Sequence, residues 1–511
     1  MLSFAENMPQ ISKINADICI VGAGAAGITI ARELIDSNLQ VVLLESGSFD
    51  YDPDTQDLYN GDNVGREYFS LNATRLRYFG GSTNHWGGQS GPLDELDFAK
   101  RDWVPLSGWP VEYEELVPYY KLAQQVLEIE GPFDYSTEYW EKVIVAKALP
   151  LDPKKFISSV RQYSPPTRFG EKYRQEIINA RNVNLILNAN VLELNTNESA
   201  NIVNSVRASS LAHNELEVKA KKVIIAAGGL ENPRLLLLSN KTQKFGLGND
   251  CDQVGRYFME HPHWQCGKIV LTNPELDMGY YDGASIRRKP GIRAAGIIMP
   301  TSSLQRKEKL LNSLFVLKPE FRETTEDKSI IDRFDGFMDH LGRTIRKKEY
   351  IDRYTYRKYF KNSKRVAYIT INASTEQMPN DTSRVRLSRK RDGFGQQRLE
   401  LNWQLNPADS SDLEKTLVLL AKDLGSNGIG RMQIDIKPLP GWPGGNHHLG
   451  TTRMSNDSKH GVVDSNCKVF NTDNLYIAGS SVFPTGGAVN PTFTLVALSL
   501  RLARHIKEKI V

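Results

Sequence analysis

The sequence predicts an α/β domain built around a parallel sheet and joined to a β-sheet-rich α+β domain, and three observations carry that prediction. The apolar run Asp17-Ile18-Cys19-Ile20-Val21 leads into Gly22-Ala23-Gly24-Ala25-Ala26-Gly27, and apolar residues then recur at helical spacing at Ile28, Ala31, Leu34 and Ile35. A second glycine-rich stretch, 445–450, and the apolar run Leu475-Tyr476-Ile477-Ala478 with Gly479 stand near the other end. Between about 246 and 440 the texture changes to short β-rich runs.

The first element reads as strand, tight turn and helix. Gly22 permits the turn, Gly24 lets the backbone approach a pyrophosphate at the helix N-terminus, and Gly27 lets the helix lie close on the strand, with Ala25 and Ala26 in its first turn. The next run, Val41-Val42-Leu43-Leu44, ends in Glu45, 23 positions after Gly22. That spacing suits a carboxylate accepting ribose hydroxyls, so the unit predicts dinucleotide binding. An acidic residue there disfavours a 2′-phosphate and leaves FAD or NAD.

A second βαβ-like signal runs through 183–187 and 191–194 to the apolar strand 223–226, and Val191 and Ala227 within and just after it are taken as candidate cofactor-binding residues. The turn Gly228-Gly229-Leu230-Glu231-Asn232-Pro233 follows, and 235–238 continue as helix. After Pro491, residues 492 to about 506 read as a long apolar helix. The nucleotide-binding, Rossmann-like domain is therefore predicted to be discontinuous, 1–245 and 441–511. Residues 246–440 are assigned to substrate binding, with strands at 268–271, 295–299, 366–371, 385–387 and 399–403. An amphipathic helix is expected over 410–424, with Asp409 or Ser410 as N-cap and Gly425 as its stop.

Composition narrows the class. With 511 residues, 40% hydrophobic and 24% charged, the chain has the length for two or three domains with a large core. A net charge of +4 gives no reason to expect nucleic acid. Its four cysteines are scattered without metal-ligand spacing, there is no signal-peptide pattern, and no apolar run is long enough for a membrane span, so a cytoplasmic location is expected. The charge is uneven: within a basic helical insertion near 326–365, the segment 343–365 holds ten Lys or Arg against Glu349 and Asp352, interleaved with aromatics. It reads either as a solvated arm or as a docking face for a membrane surface, an acidic partner or another subunit.

Four separated motifs resemble the glucose-methanol-choline (GMC) flavin oxidoreductases over nearly the whole chain. They are the N-terminal glycine turn, Gly80-Gly81-Ser82-Thr83-Asn84-His85-Trp86-Gly87-Gly88, Val254-Gly255-Arg256 with His261-Pro262, and Glu376-Gln377-Met378-Pro379-Asn380. The C-terminal part adds His447-His448-Leu449-Gly450-Thr451-Thr452-Arg453-Met454, and Gly479-Ser480-Ser481-Val482-Phe483-Pro484 to Asn490-Pro491-Thr492. The resemblance implies FAD, taking a hydride at flavin N5 from the CH–OH group of a sugar, glycoside or polyol. It makes His447 the base that receives the hydroxyl proton and Asn490 the donor to the developing alkoxide, while Gly81, Ser82, Asn84, His85, Trp86, Gly87, Gly479, Ser480, Pro491 and Thr492 surround the cofactor.

In some members of that family a histidine at the position of His85 is bonded to the flavin; the alternative is that His85 merely packs beside it. The His85-Trp86 pair resembles the pyranose-oxidising branch, whereas the commoner pattern has Asn where this chain has Trp86. Other readings stay open: a relative that uses FAD without redox chemistry, as a lyase, a flavoprotein that uses FAD structurally, and a non-sugar alcohol as substrate. The electron acceptor (oxygen, a quinone or a redox protein) and homo-oligomer formation are equally open at this level.

Overall fold

The computed structural model describes residues 1–282, 293–321 and 365–510, so the basic segment lies outside the described residues except for Arg365, which pairs with Glu275 at 3.1 Å. The first of three sheets has eight strands. Its parallel part runs in the order Leu2–Phe4, Val183–Leu187, Val41–Leu44, Ile11–Val21, Glu215–Ile225 and Leu475–Ile477. Residues 18–21 and 41–44 are buried throughout, as continuous apolar runs must be when both faces of a parallel sheet are covered. Strand Ile11–Val21 starts well before the apolar run because its first half alternates between exposed and half-buried positions and carries no core signal.

The expected βαβ-like unit over 183–226 is corrected. No helix intervenes; Asn190–Thr196 and Val203–Ser209 form antiparallel pairs that continue onto the first half of Glu215–Ile225. Positive φ at Asn188 (56°), Ala200 (57°) and His213 (62°) turns the chain back each time. The far half of the same strand, Val223 to Ile225, pairs in parallel with Leu475–Ile477. Helix Thr492–Ile510 packs against both Ala25–Glu33 and Tyr113–Val126 beside this sheet.

The second sheet is antiparallel with seven strands: Gly430–Pro438, His263–Leu271, Val366–Thr375, Ser313–Phe321, Ala294–Pro300, Phe156–Tyr163 and Gln89–Ser90. Its last two strands come from the stretch read as nucleotide-binding. Helix Pro407–Ser426 lies on it, burying Leu413, Leu417, Leu420 and Leu424 with Ile269, Phe315 and Ile371. This helix begins earlier than the sequence suggested, because Asn406 is the N-cap and Asp409, at N3, returns its carboxylate to the Asn406 N–H at 2.7 Å. It also continues through Gly425 to Ser426. A third sheet joins Arg384–Arg391, Gln397–Asn402 and Gly61–Asn63. Among the described residues, no helix is long and apolar enough to cross a membrane.

Candidate active site

The N-terminal glycine loop is held by tight backbone contacts. A Cβ on Gly27 would sit 1.9 Å from the Gly22 carbonyl oxygen, and one on Gly22, whose φ is +100°, would meet the Ala226 carbonyl oxygen at 2.7 Å. Both glycines are therefore required by close approach. Gly24 differs: a Cβ there meets no described atom within 4 Å. It precedes helix Ala25–Glu33 without a side-chain cap. An open cradle at an uncapped helix start fits a pyrophosphate. Buried Glu45 accepts the Ala23 N–H at 2.8 Å and the Gly47 N–H at 3.0 Å, tying loop to strand end.

Other segments that the sequence assigned to the cofactor approach this loop. Gly80 donates its N–H to Ala23 at 2.8 Å, and Gly81 (φ +53°) comes so close that a Cβ would stand 3.2 Å from the Gly24 Cα. In the turn Gly81–Asn84, the exposed Ser82 hydroxyl accepts the Leu76 N–H at 3.3 Å. The Asn84 side chain donates to Phe79 and accepts from Gly170. His85 is exposed, with Nε2 2.9 Å from the Tyr78 hydroxyl; Trp86 donates its indole N–H to Thr167 at 2.9 Å. A Cβ on Gly87 or Gly228 would meet no described atom within 4 Å.

Asn232 joins the end of strand Glu215–Ile225 to the loop after strand Leu475–Ile477. It accepts the Ala227 N–H at 2.8 Å and donates to the Ala478 carbonyl at 3.1 Å and the Ser481 hydroxyl at 2.9 Å. Ser480 donates to the His448 carbonyl at 2.8 Å, Gly479 has φ +123°, Pro491 is buried, and Thr492 opens the C-terminal helix. Half-buried Val191 lies opposite Ala208 in the antiparallel extension.

At the C-terminal side, His447 and Asn490 meet although 43 residues separate them: Asn490 Nδ2 is 3.1 Å from His447 Nε2. The turn that presents His447 is built for it. Asn446 takes φ +58°, and a Cβ on Gly445 would strike the His447 ring at 2.4 Å. Glu260, fully buried, receives four donors: the Tyr68 hydroxyl at 2.5 Å and the backbone N–H groups of His261 (2.7 Å), His447 (2.8 Å) and Gly445 (3.0 Å). Burial pushes its carboxyl up to about 7, while those donors pull the other way.

Burial, and then the charges of neighbouring imidazoles, hold His447 well below the ordinary histidine range. His261 Nδ1 stands 2.8 Å from His447 Nδ1. His448 turns elsewhere: its ring packs against Tyr68 and Phe258, burial brings it down to about 3, and its Nε2 has no hydrogen-bond partner among the described residues. Glu260 and Tyr68 were not singled out in the sequence. The only local trace of the former is a carboxylate immediately before His261-Pro262.

A nucleotide cradle on a parallel sheet, closed by a half-buried imidazole paired with an amide, defines the class as a flavin-type oxidoreductase. The chain is similar to the GMC oxidoreductases: models described as GMC oxidoreductase match residues 171–263 and 379–499. It is 23% identical to the 2-methyl-1,2-propanediol dehydrogenase of Mycolicibacterium austroafricanum, over 96% of this chain and 95% of that one. It is likewise 23% identical to the fructose dehydrogenase large subunit of Gluconobacter japonicus, over 96% and 98%. A C-glycoside 3-oxidase of Microbacterium trichothecenolyticum is 33% identical over 23% of each chain. Among solved structures, the formate oxidase of Aspergillus oryzae RIB40 superposes with a TM-score of 0.56 over 97% of this chain and 98% of that one, at 18% identity.

Proposed function

We propose that this oxidoreductase removes hydride and proton from a CH–OH group of a sugar, glycoside or polyol, with His447 as the base. The observation that carries this reading is the approach of the Asn490 amide to His447 Nε2. The FAD of the family supplies the acceptor for the hydride. Gly22, Gly24 and Gly27, the 81–87 turn, Ala227 and the segment from Gly479 to Thr492 would hold it, with Glu45 at the ribose.

The protein's own work is with the proton. Desolvation keeps His447 neutral, and the Asn490 amide aimed at Nε2 leaves the lone pair on that nitrogen for the substrate hydroxyl. As that proton leaves, Asn490 offers an N–H to the oxygen on which charge develops, without a titrating proton of its own. A sugar or polyol is favoured by the names of the relatives, among which fructose and C-glycosides appear.

The test is the visible spectrum of the holoprotein under anaerobic conditions, with sugars, glycosides and simple alcohols added in turn. Bleaching of the ~450 nm flavin band by a sugar or polyol is expected. Bleaching by aliphatic alcohols alone would remove the sugar reading, and a band that no alcohol bleaches would remove alcohol oxidation. Readmitting air then separates oxygen from other acceptors. Acid precipitation of a parallel sample asks whether His85 is bonded to the cofactor: complete release would show that it is not.

A further inference from the structure

We propose that His261 is a positioning residue that fixes the tautomer of His447, setting Nε2 bare and Nδ1 protonated before substrate arrives. The inference rests on the reading of His447 as the base. His261 is fully buried, and its Nε2 lies 3.1 Å from the Gly486 carbonyl oxygen, which can only accept. The Nε2 of His261 therefore carries its proton. A neutral imidazole has a single N–H, so His261 Nδ1 holds a lone pair.

That lone pair faces His447 Nδ1 at 2.8 Å, a distance that requires a hydrogen between the two nitrogens. His447 Nδ1 must supply it. The Nε2 of His447 is then unprotonated, which is the state that accepts the amide N–H of Asn490 at 3.1 Å and the state a base needs. The four groups form one directional chain: Asn490 donates to His447, His447 to His261, and His261 to Gly486. Gly486 and Asn490 belong to the same loop, so that loop holds both ends of the chain.

The orienting group is thus a neutral imidazole, where many general bases are oriented by a carboxylate. Protonation of His447 at Nε2 leaves the bond to His261 intact, since Nδ1 remains a donor. The groups around the pair are His263 and His448, whose positive forms would oppose charge on His447, and Glu260 and Glu376, whose carboxylates favour it. No carboxylate oxygen bonds either ring directly among the described residues. The imidazolium formed at His447 is held less firmly for that reason and returns its proton more readily.

The experiment compares the FAD-loaded wild-type protein with H261L, H261Q and H447N. In ¹⁵N-histidine NMR of the wild type, His447, assigned by the signals lost in H447N, should show a protonated-type Nδ1 and an unprotonated-type Nε2. Wild-type signals with Nε2 protonated would overturn the proposal, whether or not any variant folds. In H261L, with the flavin spectrum confirming the fold, the rate of flavin reduction should fall by about 10²-fold with KM changed little. H261Q, whose amide can accept from His447 and donate to Gly486, should recover most of that loss. H261L with wild-type rate and an unchanged tautomer would defeat the positioning role alone. An H447N rate equal to wild type would instead remove the base on which it rests.

Discussion

At the scale of the residue, the site divides into groups that sequence displays and groups that only folding brings together. His447 and Asn490 were legible because each sits in a motif of fixed local spacing. His261 appeared only as half of a His-Pro pair, and Tyr68 not at all, since their partners are 186 and 192 residues away. H447A should lower the rate of flavin reduction by roughly 10²–10⁴-fold, measured in anaerobic stopped flow. On the proposed reading the neutral form of His447 is the active one, so kcat/KM should fall with decreasing pH through a step below 6.5 that belongs to it. Glu260 adds an upper step near 7, and E260Q should abolish that step. Its amide cannot accept from every donor now aimed at the carboxylate, so E260Q should also cost about 1–3 kcal/mol in denaturant unfolding.

At the scale of the element, the strand–turn–helix unit and the C-terminal helix were readable from periodicity, whereas boundaries shifted wherever one half of an element lacks a core signal. Helix Pro407–Ser426 shows this: the reciprocal cap between Asn406 and Asp409 sets its start, not the first apolar residue. The antiparallel extension after residue 187 escaped notice because buried strands and short βαβ pieces share one apolar texture. The glycine loop allows folding and binding to be separated. Gly24 has φ −83° and open space where a Cβ would go, so G24A should leave the melting temperature of the cofactor-free protein nearly unchanged. Its FAD affinity should drop tenfold or more by fluorescence titration. G27A, by contrast, drives a methyl into the Gly22 carbonyl and should lower both.

At the scale of the whole molecule, the union of a parallel-sheet α/β region with a β-rich one was legible, but the third sheet and the partners of each strand were not. Nothing local to 89–90 or 156–163 says that these residues complete an antiparallel sheet begun beyond 262. Nor does sequence show Arg101 and Glu376 meeting in a fully buried bidentate pair at 2.6 and 2.8 Å. R101A should cost about 3–5 kcal/mol, because it leaves a buried carboxylate unpaired. His263 and His448 are kept neutral in the fold, down to about 4 and about 3, but protonate near 6.5 in the unfolded chain. The unfolded state therefore binds more protons below 6.5, and the melting temperature should decline as pH falls from there toward 3.

The carboxylate of Glu260 draws its donors from residues 68, 261, 445 and 447. Such a clamp closes only when three far-apart stretches of chain have met, so a molecule still missing one stretch leaves the turn that carries His447 unheld. On dilution from denaturant with FAD present, secondary structure should return first, and alcohol-dependent flavin reduction should appear with the slowest phase. A partly folded chain of this kind would be idle, not misdirected, toward the alcohols around it.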